Sequence, residues 1–103
     1  MSVLKISKEN FEEKVINSTV PVLLDFWAEW CGPCQMLGPV IEEIATERTD
    51  ISVGKVNVDE QPELAAAFRV ESIPMLAVVR EGKVTNITVG YKTKEQLINE
   101  LGL

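Results

Sequence analysis

The 103-residue chain has no histidine and only two cysteines, Cys31 and Cys34. The missing histidine excludes Ser/His and Cys/His hydrolytic pairs, His-ligated zinc or haem, and an imidazole that titrates near neutral pH. Two thiols are too few for an all-cysteine zinc or iron–sulfur site within one chain, and too few for a disulfide-rich secreted scaffold. Any sulfur chemistry therefore depends on this one pair.

Basic residues and long apolar runs are also scarce. The chain has 10 Lys and Arg against 16 Asp and Glu, a formal charge of −6, which argues against a nucleic-acid partner because phosphates need a basic face. No apolar run approaches the length that spans a membrane, and residues 1–8 are too polar for a signal peptide. We therefore expect a cytoplasmic protein with no membrane partner.

The remaining composition is ordinary for a globular protein. Hydrophobic residues make up 46% of the chain and charged residues 25%, and neither repeats nor flexible linkers interrupt it. A chain of this length buries enough surface to form a hydrophobic core without metal ions or disulfide bonds. We expect a single domain over residues 1–103.

The apolar patterns predict five strands and four helices in the order β-α-β-α-β-α-β-β-α. The predicted strands are residues 3–6, 22–27, 51–58, 75–79 and 84–89. The predicted helices are one capped by Ser7, with Phe11, Val15 and Ile16 on its inner face, then residues 34–48, residues 62–68, and one that a Thr93–Gln96 capping box opens and Gly102 ends. Because parallel strands need helical crossovers and hairpin strands do not, this order indicates a mixed sheet with helices on both faces.

The second predicted helix carries an apolar stripe and an internal proline. Pro39 removes one backbone donor and crowds the preceding turn, so we expect a kink there. The predicted inward side chains are Met36, Leu37, Val40, Ile41, Ile44 and Ala45.

The segment Cys31-Gly32-Pro33-Cys34 lies between the central strand and the second helix, where ligand sites of open α/β sheets collect. A spacing of three puts Cβ atoms roughly 5–6 Å apart on a regular helix, and a disulfide needs about 4 Å, so a small adjustment opens or closes the pair. Cys31 stands at the helix N-terminus, where free N–H groups and the helix dipole favour a thiolate. Cys34 lies one turn in and should be more covered. The asymmetry predicts that Cys31 attacks and Cys34 resolves.

Other uses of the pair remain open at this point. A purely structural disulfide closing a loop of about four residues would add only about 2 kcal/mol to the stability of the fold, and a reducing cytoplasm would keep the two thiols reduced. Two inert core thiols fit poorly with the intervening Gly-Pro. A metal bridged between two chains is the other alternative. The motif and its position favour redox chemistry.

Asp25 interrupts the apolar strand at residues 22–27. An unpaired buried carboxylate costs several kcal/mol, and burial raises the pKa of such a group. Our hypothesis is that Asp25 takes the proton from Cys34, through water, while Cys34 resolves the reaction.

Residues 25–34, DFWAEWCGPC, resemble the active-site segment of the thioredoxin family. The resemblance extends along nearly the whole chain through Pro39, Lys55-Val56-Asn57-Val58-Asp59, Ile73-Pro74, Gly82 and Val89-Gly90. It implies an α/β thioredoxin fold, a central mixed five-stranded sheet flanked by four helices. It also implies reduction of protein disulfides through a reversible Cys31–Cys34 pair.

The same resemblance implies roles for further residues. It supports Asp25 as a base and puts Lys55 beside it, where the ammonium would modulate the Asp25 and cysteine proton equilibria. It implies a cis peptide bond before Pro74, next to Cys31, while Trp27 would support the site from beneath. A flat, mostly apolar surface would bind substrate, and the backbone near Ile73 would pair with an extended substrate strand. That surface would comprise Trp30, Gly32, Pro33, Ile73, Pro74 and Gly90.

The chain has no glycine-rich dinucleotide fingerprint, so its electrons must come from another protein. The resemblance implies a thioredoxin reductase, an NADPH-dependent flavoprotein, disulfide-containing protein substrates, no bound cofactor and a monomer. A specialised donor, and an interaction module with regulatory cysteines, are the alternatives. Gln35, Met75 and Tyr91 depart from the usual family residues; the last two should flank the substrate surface and influence partner choice.

Overall fold

A computed structural model of the protein describes residues 3–103. The strands are β1 (Val3–Lys5), β2 (Val22–Trp27), β3 (Ser52–Asn57), β4 (Met75–Arg80) and β5 (Lys83–Val89). The helices are a short π-helix (Glu12–Ile16), α1 (Gly32–Glu47), α2 (Pro62–Ala67) and α3 (Lys94–Glu100).

The strands form one mixed sheet in the order β1-β3-β2-β4-β5. Strand β3 pairs in parallel with β1 and β2, β4 is antiparallel to β2, and β5 is antiparallel to β4. Strand β2 lies at the centre, and its residues from Val22 to Phe26 are buried, as its unbroken apolar run predicts. The predicted mixed five-stranded sheet with four helices is confirmed.

Helices cover both faces of the sheet. Successive side chains of β2 point to opposite faces, so they pack against different helices. On one face Leu24 and Phe26 pack with Val15 of the π-helix and Leu64 of α2. On the other face Leu23 joins a cluster with residues of α1, of α3 and of the turn after α3, including Leu37, Ile41, Ile44, Leu97 and Leu101. Because successive side chains on a strand alternate, Asp25 lies on the same face as Leu23, under α1.

Local turn chemistry agrees with the sequence at the C-terminal half. Thr93 and Gln96 form the expected capping box at the start of α3, and Gly102 follows that helix with φ +67°. The hairpin between β4 and β5 turns at Glu81 and Gly82, whose φ values are +52° and +77°. Two successive positive φ values are what a type I′ two-residue hairpin loop requires, and glycine adopts such a value without strain.

The first helix differs from its prediction. The π-helix begins only at Glu12, and Ser7 does not cap it: the Ser7 N–H instead donates to Asn10 Oδ1 at 2.8 Å. The Asn17 N–H donates to the Glu12 carbonyl at 2.9 Å, the i→i+5 spacing of a π-turn. This wider turn leaves Ile16 38% exposed while Val15 is buried, so the predicted inward placement of Ile16 is wrong.

Helix α1 begins at Gly32, two residues before the predicted range, and Cys31 is its N-cap, which agrees with the predicted place of Cys31 at the helix N-terminus. It continues through Pro39 to Glu47. Met36 is 63% exposed, so its predicted inward position is wrong. At 3.6 residues per turn the buried stripe through Leu37 and Ile41 excludes their neighbour Met36. Within residues 3–103 no helix combines the length and the hydropathy that crossing a membrane demands.

Candidate active site: a cysteine pair at the start of α1

The cysteine pair lies where the chain leaves β2 and enters α1. Cys31 is the N-cap residue, in extended conformation with φ −92° and ψ 109°, and Pro33 is in the first turn, where its missing N–H costs nothing. The Cys31 and Cys34 sulfurs are bonded to each other, and their Cα atoms are 5.2 Å apart. The Cys34 backbone N–H donates to Cys31 Sγ at 3.2 Å. The helix N-terminus thus directs a donor at one sulfur of the pair.

Exposure does not distinguish the two cysteines. Cys31 is 5% and Cys34 4% exposed, and both pack with Ala28 in a small cluster that Trp27 and Ile73 adjoin. The expectation that Cys34 would be more covered is met by only one percentage point in this oxidised form. The asymmetry between the sulfurs resides in their positions relative to the helix N-terminus.

Residues distant in sequence meet the cysteine pair at the beginning of β4. The Ile73–Pro74 peptide bond is cis, as the resemblance implied. The Ile73 carbonyl oxygen lies 3.8 Å from Cys31 Sγ. The Gly90 N–H donates to the Pro74 carbonyl at 2.8 Å, and Gly90 has φ +99°, which favours glycine. The structure thus brings Ile73 to Cys31, with Pro74 next in the chain and Gly90 hydrogen-bonded to Pro74.

The predicted substrate surface is only partly exposed. Trp30, at 71%, Gly32 and Pro33 are exposed, and Ile73 and Gly90 are half-buried, whereas Pro74 is buried. Of the two departures expected to flank this surface, Tyr91 is 44% exposed but Met75 is only 4% exposed.

Met75 packs in the core with Phe26 and Ala77, so the prediction that it flanks the surface is wrong. The third departure, Gln35, donates from Nε2 to the Glu29 carbonyl at 3.2 Å. It links the first turn of α1 to the loop that precedes the cysteines.

Asp25 is buried on the face of the sheet that α1 covers. It is 1% exposed, and within residues 3–103 its Oδ1 has no hydrogen-bond partner. Burial raises the pKa of Asp25 from 3.8 to about 6, and the positive charge of Lys55 partly opposes that rise. Asp25 and Lys55 are register partners on the parallel strands β2 and β3, so Lys55 lies beside Asp25 as the resemblance implied.

Trp27 accounts for the position of the Lys55 ammonium. Lys55 Nζ lies 4.5 Å from the centroid of the Trp27 ring, a cation–π contact. Both side chains line a cavity of about 330 Å³ that Asn57 and Glu42 also border. The half-buried lysine is therefore held by Trp27 on the strand beside Asp25.

Replacing Lys55 by methionine should raise the pKa of Asp25 further above its ordinary value. The physical reason is that the Lys55 charge favours the ionised carboxylate, and methionine keeps the bulk without the charge. The measurement is an NMR titration of the Asp25 carboxyl carbon in the oxidised protein. Lys5→Met, at an exposed lysine that pairs with Glu60 at 3.6 Å, is the control and should leave the titration unchanged. A lower Asp25 pKa in Lys55→Met would contradict this electrostatic account.

Asn57 and Asp59 belong to a segment that resembles the family, but the sequence indicated no role for either residue. The Trp30 indole Nε1 donates to Asp59 Oδ2 at 2.8 Å, across 29 positions of sequence. Asn57 Oδ1 accepts the N–H groups of Asp59 and Glu60 at 2.9 and 3.2 Å. The spacing Asn57-Val58-Asp59 is a signal for such a turn, because asparagine side chains often bind the backbone two residues ahead.

The part of the chain that the structure describes contains no group of three or more His, Cys, Asp or Glu side chains placed to hold a metal ion. What it does contain is a mixed sheet with a Cys-x-x-Cys disulfide at the N-terminus of the helix that follows the central strand. This combination defines a thiol–disulfide oxidoreductase.

Comparison with known proteins specifies the family. The family model described as Thioredoxin matches residues 2–102. Thioredoxin of Mycobacterium tuberculosis is 48% identical over 101 residues, which is 97% of this chain and 87% of that protein. Thioredoxins of Haemophilus influenzae and Pyropia yezoensis are 46% and 42% identical, over 94% and 98% of this chain and 92% and 95% of their own lengths. The chain belongs to the thioredoxin family, a family of protein-disulfide reductases with a redox-active cysteine pair.

Proposed function

We propose that this chain reduces protein disulfides with Cys31 as the attacking thiol and Cys34 as the resolving thiol. One observation carries the assignment: Cys31 is the N-cap of α1, and its sulfur accepts the Cys34 N–H at 3.2 Å. A donor and a helix dipole directed at one sulfur stabilise its thiolate, which is the reactive form.

The proposed reaction transfers two electrons from the cysteine pair to the substrate. The Cys31 thiolate attacks one sulfur of the substrate disulfide, a Cys31–substrate disulfide forms, and the other substrate sulfur leaves as a thiolate. Cys34 then loses its proton and attacks Cys31 Sγ. This step releases the second substrate thiolate and leaves Cys31 and Cys34 bonded, which is the form of the structure.

Asp25 is the proposed acceptor of the Cys34 proton, acting through water. A base works best when its pKa is close to the working pH, and burial brings the pKa of Asp25 to about 6. The unpartnered Oδ1 leaves one carboxylate oxygen available for a proton. In this proposal the positive charge of Lys55 keeps the carboxylate ionised before it takes up that proton.

The substrate would lie across the exposed residues beside Cys31. Trp30, Gly32 and Pro33 offer exposed surface, and the Ile73 backbone next to Cys31 Sγ suits pairing with an extended strand. Gly90, which has no side chain, would let the substrate backbone approach closely. Buried Pro74 would support Ile73 from below rather than contact substrate.

The two sulfurs themselves store the electron pair, so the proposed cycle uses no resident cofactor, and one copy of the chain carries both sulfurs and can act as a monomer. Reducing the Cys31–Cys34 disulfide again would need a thioredoxin reductase, and we expect that reductase to be an NADPH-dependent flavoprotein. A donor of electrons needs a reducing compartment, for which we propose the cytoplasm.

Insulin reduction driven by dithiothreitol tests the proposed activity. The wild-type protein should accelerate the precipitation of reduced insulin chains, and Cys31→Ser should lose that acceleration entirely. Ser18→Ala, in a turn at the far end of the sheet, is a control that should retain it. Turnover that persists without Cys31 would contradict the reductase and favour an interaction module with regulatory cysteines.

A further inference from the structure

Asn57 organises the loop that follows β3. It is the last residue of that strand and only 9% exposed. Its side-chain Oδ1 accepts the N–H groups of Asp59 and Glu60, and its backbone carbonyl accepts the Gln61 N–H at 2.9 Å. Three consecutive N–H groups thus point back to one residue, which fixes where the Asp59 side chain starts.

Asp59 connects this loop to the residue before the attacking cysteine. Its Oδ2 accepts the Trp30 indole N–H at 2.8 Å. Trp30 is 71% exposed, so little packing restrains its side chain, and the bond to Asp59 sets the direction of the indole. The orientation of Trp30 therefore depends on the position of Asp59, and that position depends on Asn57.

We propose that Asn57 is a positioning residue for disulfide reduction: it fixes Asp59, and through Asp59 the indole of Trp30 next to Cys31. This inference rests on the proposed contact between Trp30 and protein substrates. An indole held in place loses less conformational freedom when a substrate docks, so the held form binds substrate more tightly.

Three variants test the chain of contacts, read first at the Trp30 indole N–H by ¹H–¹⁵N NMR, with the signal assigned from Trp30→Phe. Asn57→Ala removes the acceptor for two N–H groups, and Asp59→Ala removes the acceptor for the indole. Both should speed hydrogen exchange of the Trp30 indole proton severalfold. Asn57→Asp keeps an oxygen in the same place and should restore slow exchange.

Kinetics provide the functional readout. The KM for insulin should rise about fivefold in Asn57→Ala, the size expected for one net hydrogen bond. The kcat for insulin, and the rate with the small disulfide 5,5′-dithiobis(2-nitrobenzoate), should stay unchanged. In a Trp30→Phe background, which lacks the indole donor, Asn57→Ala should raise the KM no further.

Ser18→Ala is the matched control, because the Ser18 hydroxyl likewise bridges a turn, donating to the Val20 carbonyl and accepting the Val20 N–H. It should change neither readout. If Asn57→Ala lowers stability but leaves both indole exchange and the insulin KM at wild-type values, the inference is overturned. If Trp30→Ala leaves the insulin KM unchanged while Asn57→Ala still speeds exchange, the proposed substrate contact of Trp30 is what fails.

Discussion

Replacing Cys34 by serine is expected to turn the protein from a catalyst into a covalent trap for its substrates. Cys31 keeps its place at the N-terminus of α1 and still attacks a substrate disulfide, but no second thiol is present to displace the product. The Cys31–substrate disulfide should therefore accumulate. Intact mass spectrometry of the reduced variant, mixed at neutral pH with a protein carrying one disulfide, should show an adduct that dithiothreitol removes.

Cys31→Ser is the matched variant. Comparing its trapping rate with that of Cys34→Ser separates two explanations of thiol reactivity, exposure and stabilisation of the thiolate. The two cysteines are almost equally buried, at 5% and 4%, so exposure alone predicts equal trapping by the two variants. Stabilisation of the thiolate by the helix N-terminus predicts instead that Cys34→Ser forms adduct faster, by about tenfold. Equal trapping rates, or faster trapping by Cys31→Ser, would reverse the proposed roles.

Elements with strong local signals were predictable from the sequence. Strand β2 follows from an apolar run that only a strand covered on both faces accommodates, and its bounds, Val22–Trp27, agree with the prediction. The start of α3 follows from the Thr93–Gln96 capping box, in which two side chains satisfy two backbone donors. In each case the signal lies within a few consecutive residues, although β2 itself pairs with strands distant in the chain.

Features that depend on distant neighbours were not predictable in the same way. The bond from Trp30 to Asp59 spans 29 positions, and no periodicity encodes it. The two cysteines are about equally buried in a cluster against which Ile73 packs, and Ile73 lies 42 positions after Cys31 in the chain. Met75 illustrates the converse error: its place after Pro74 suggested a surface position, but its side chain fills the core beside Phe26.

Neutralising Asp25 is expected to stabilise the folded protein at neutral pH and not in acid. Burial raises the pKa of Asp25 from 3.8 to about 6, so the folded state holds this proton more tightly than the unfolded chain does. Below pH 3.8 both states are protonated and the carboxyl costs nothing. The cost of ionisation grows as the pH rises through that value and is complete above about pH 6, where the difference in pKa corresponds to about 3 kcal/mol.

Urea unfolding of the oxidised protein between pH 3.5 and 8 measures this dependence in Asp25→Asn, which keeps the shape of the side chain. The free energy of unfolding of the variant, less that of wild type, should rise by about 3 kcal/mol between the ends of this range. Asp50→Asn is the control of opposite sign, because hydrogen bonds from Arg48 lower the pKa of Asp50 and its charge favours folding as the pH rises. If the difference in free energy of unfolding between Asp25→Asn and wild type stays constant with pH, the pKa of Asp25 is not raised by burial. The carboxyl would then lose the property that suits it to take a proton from Cys34.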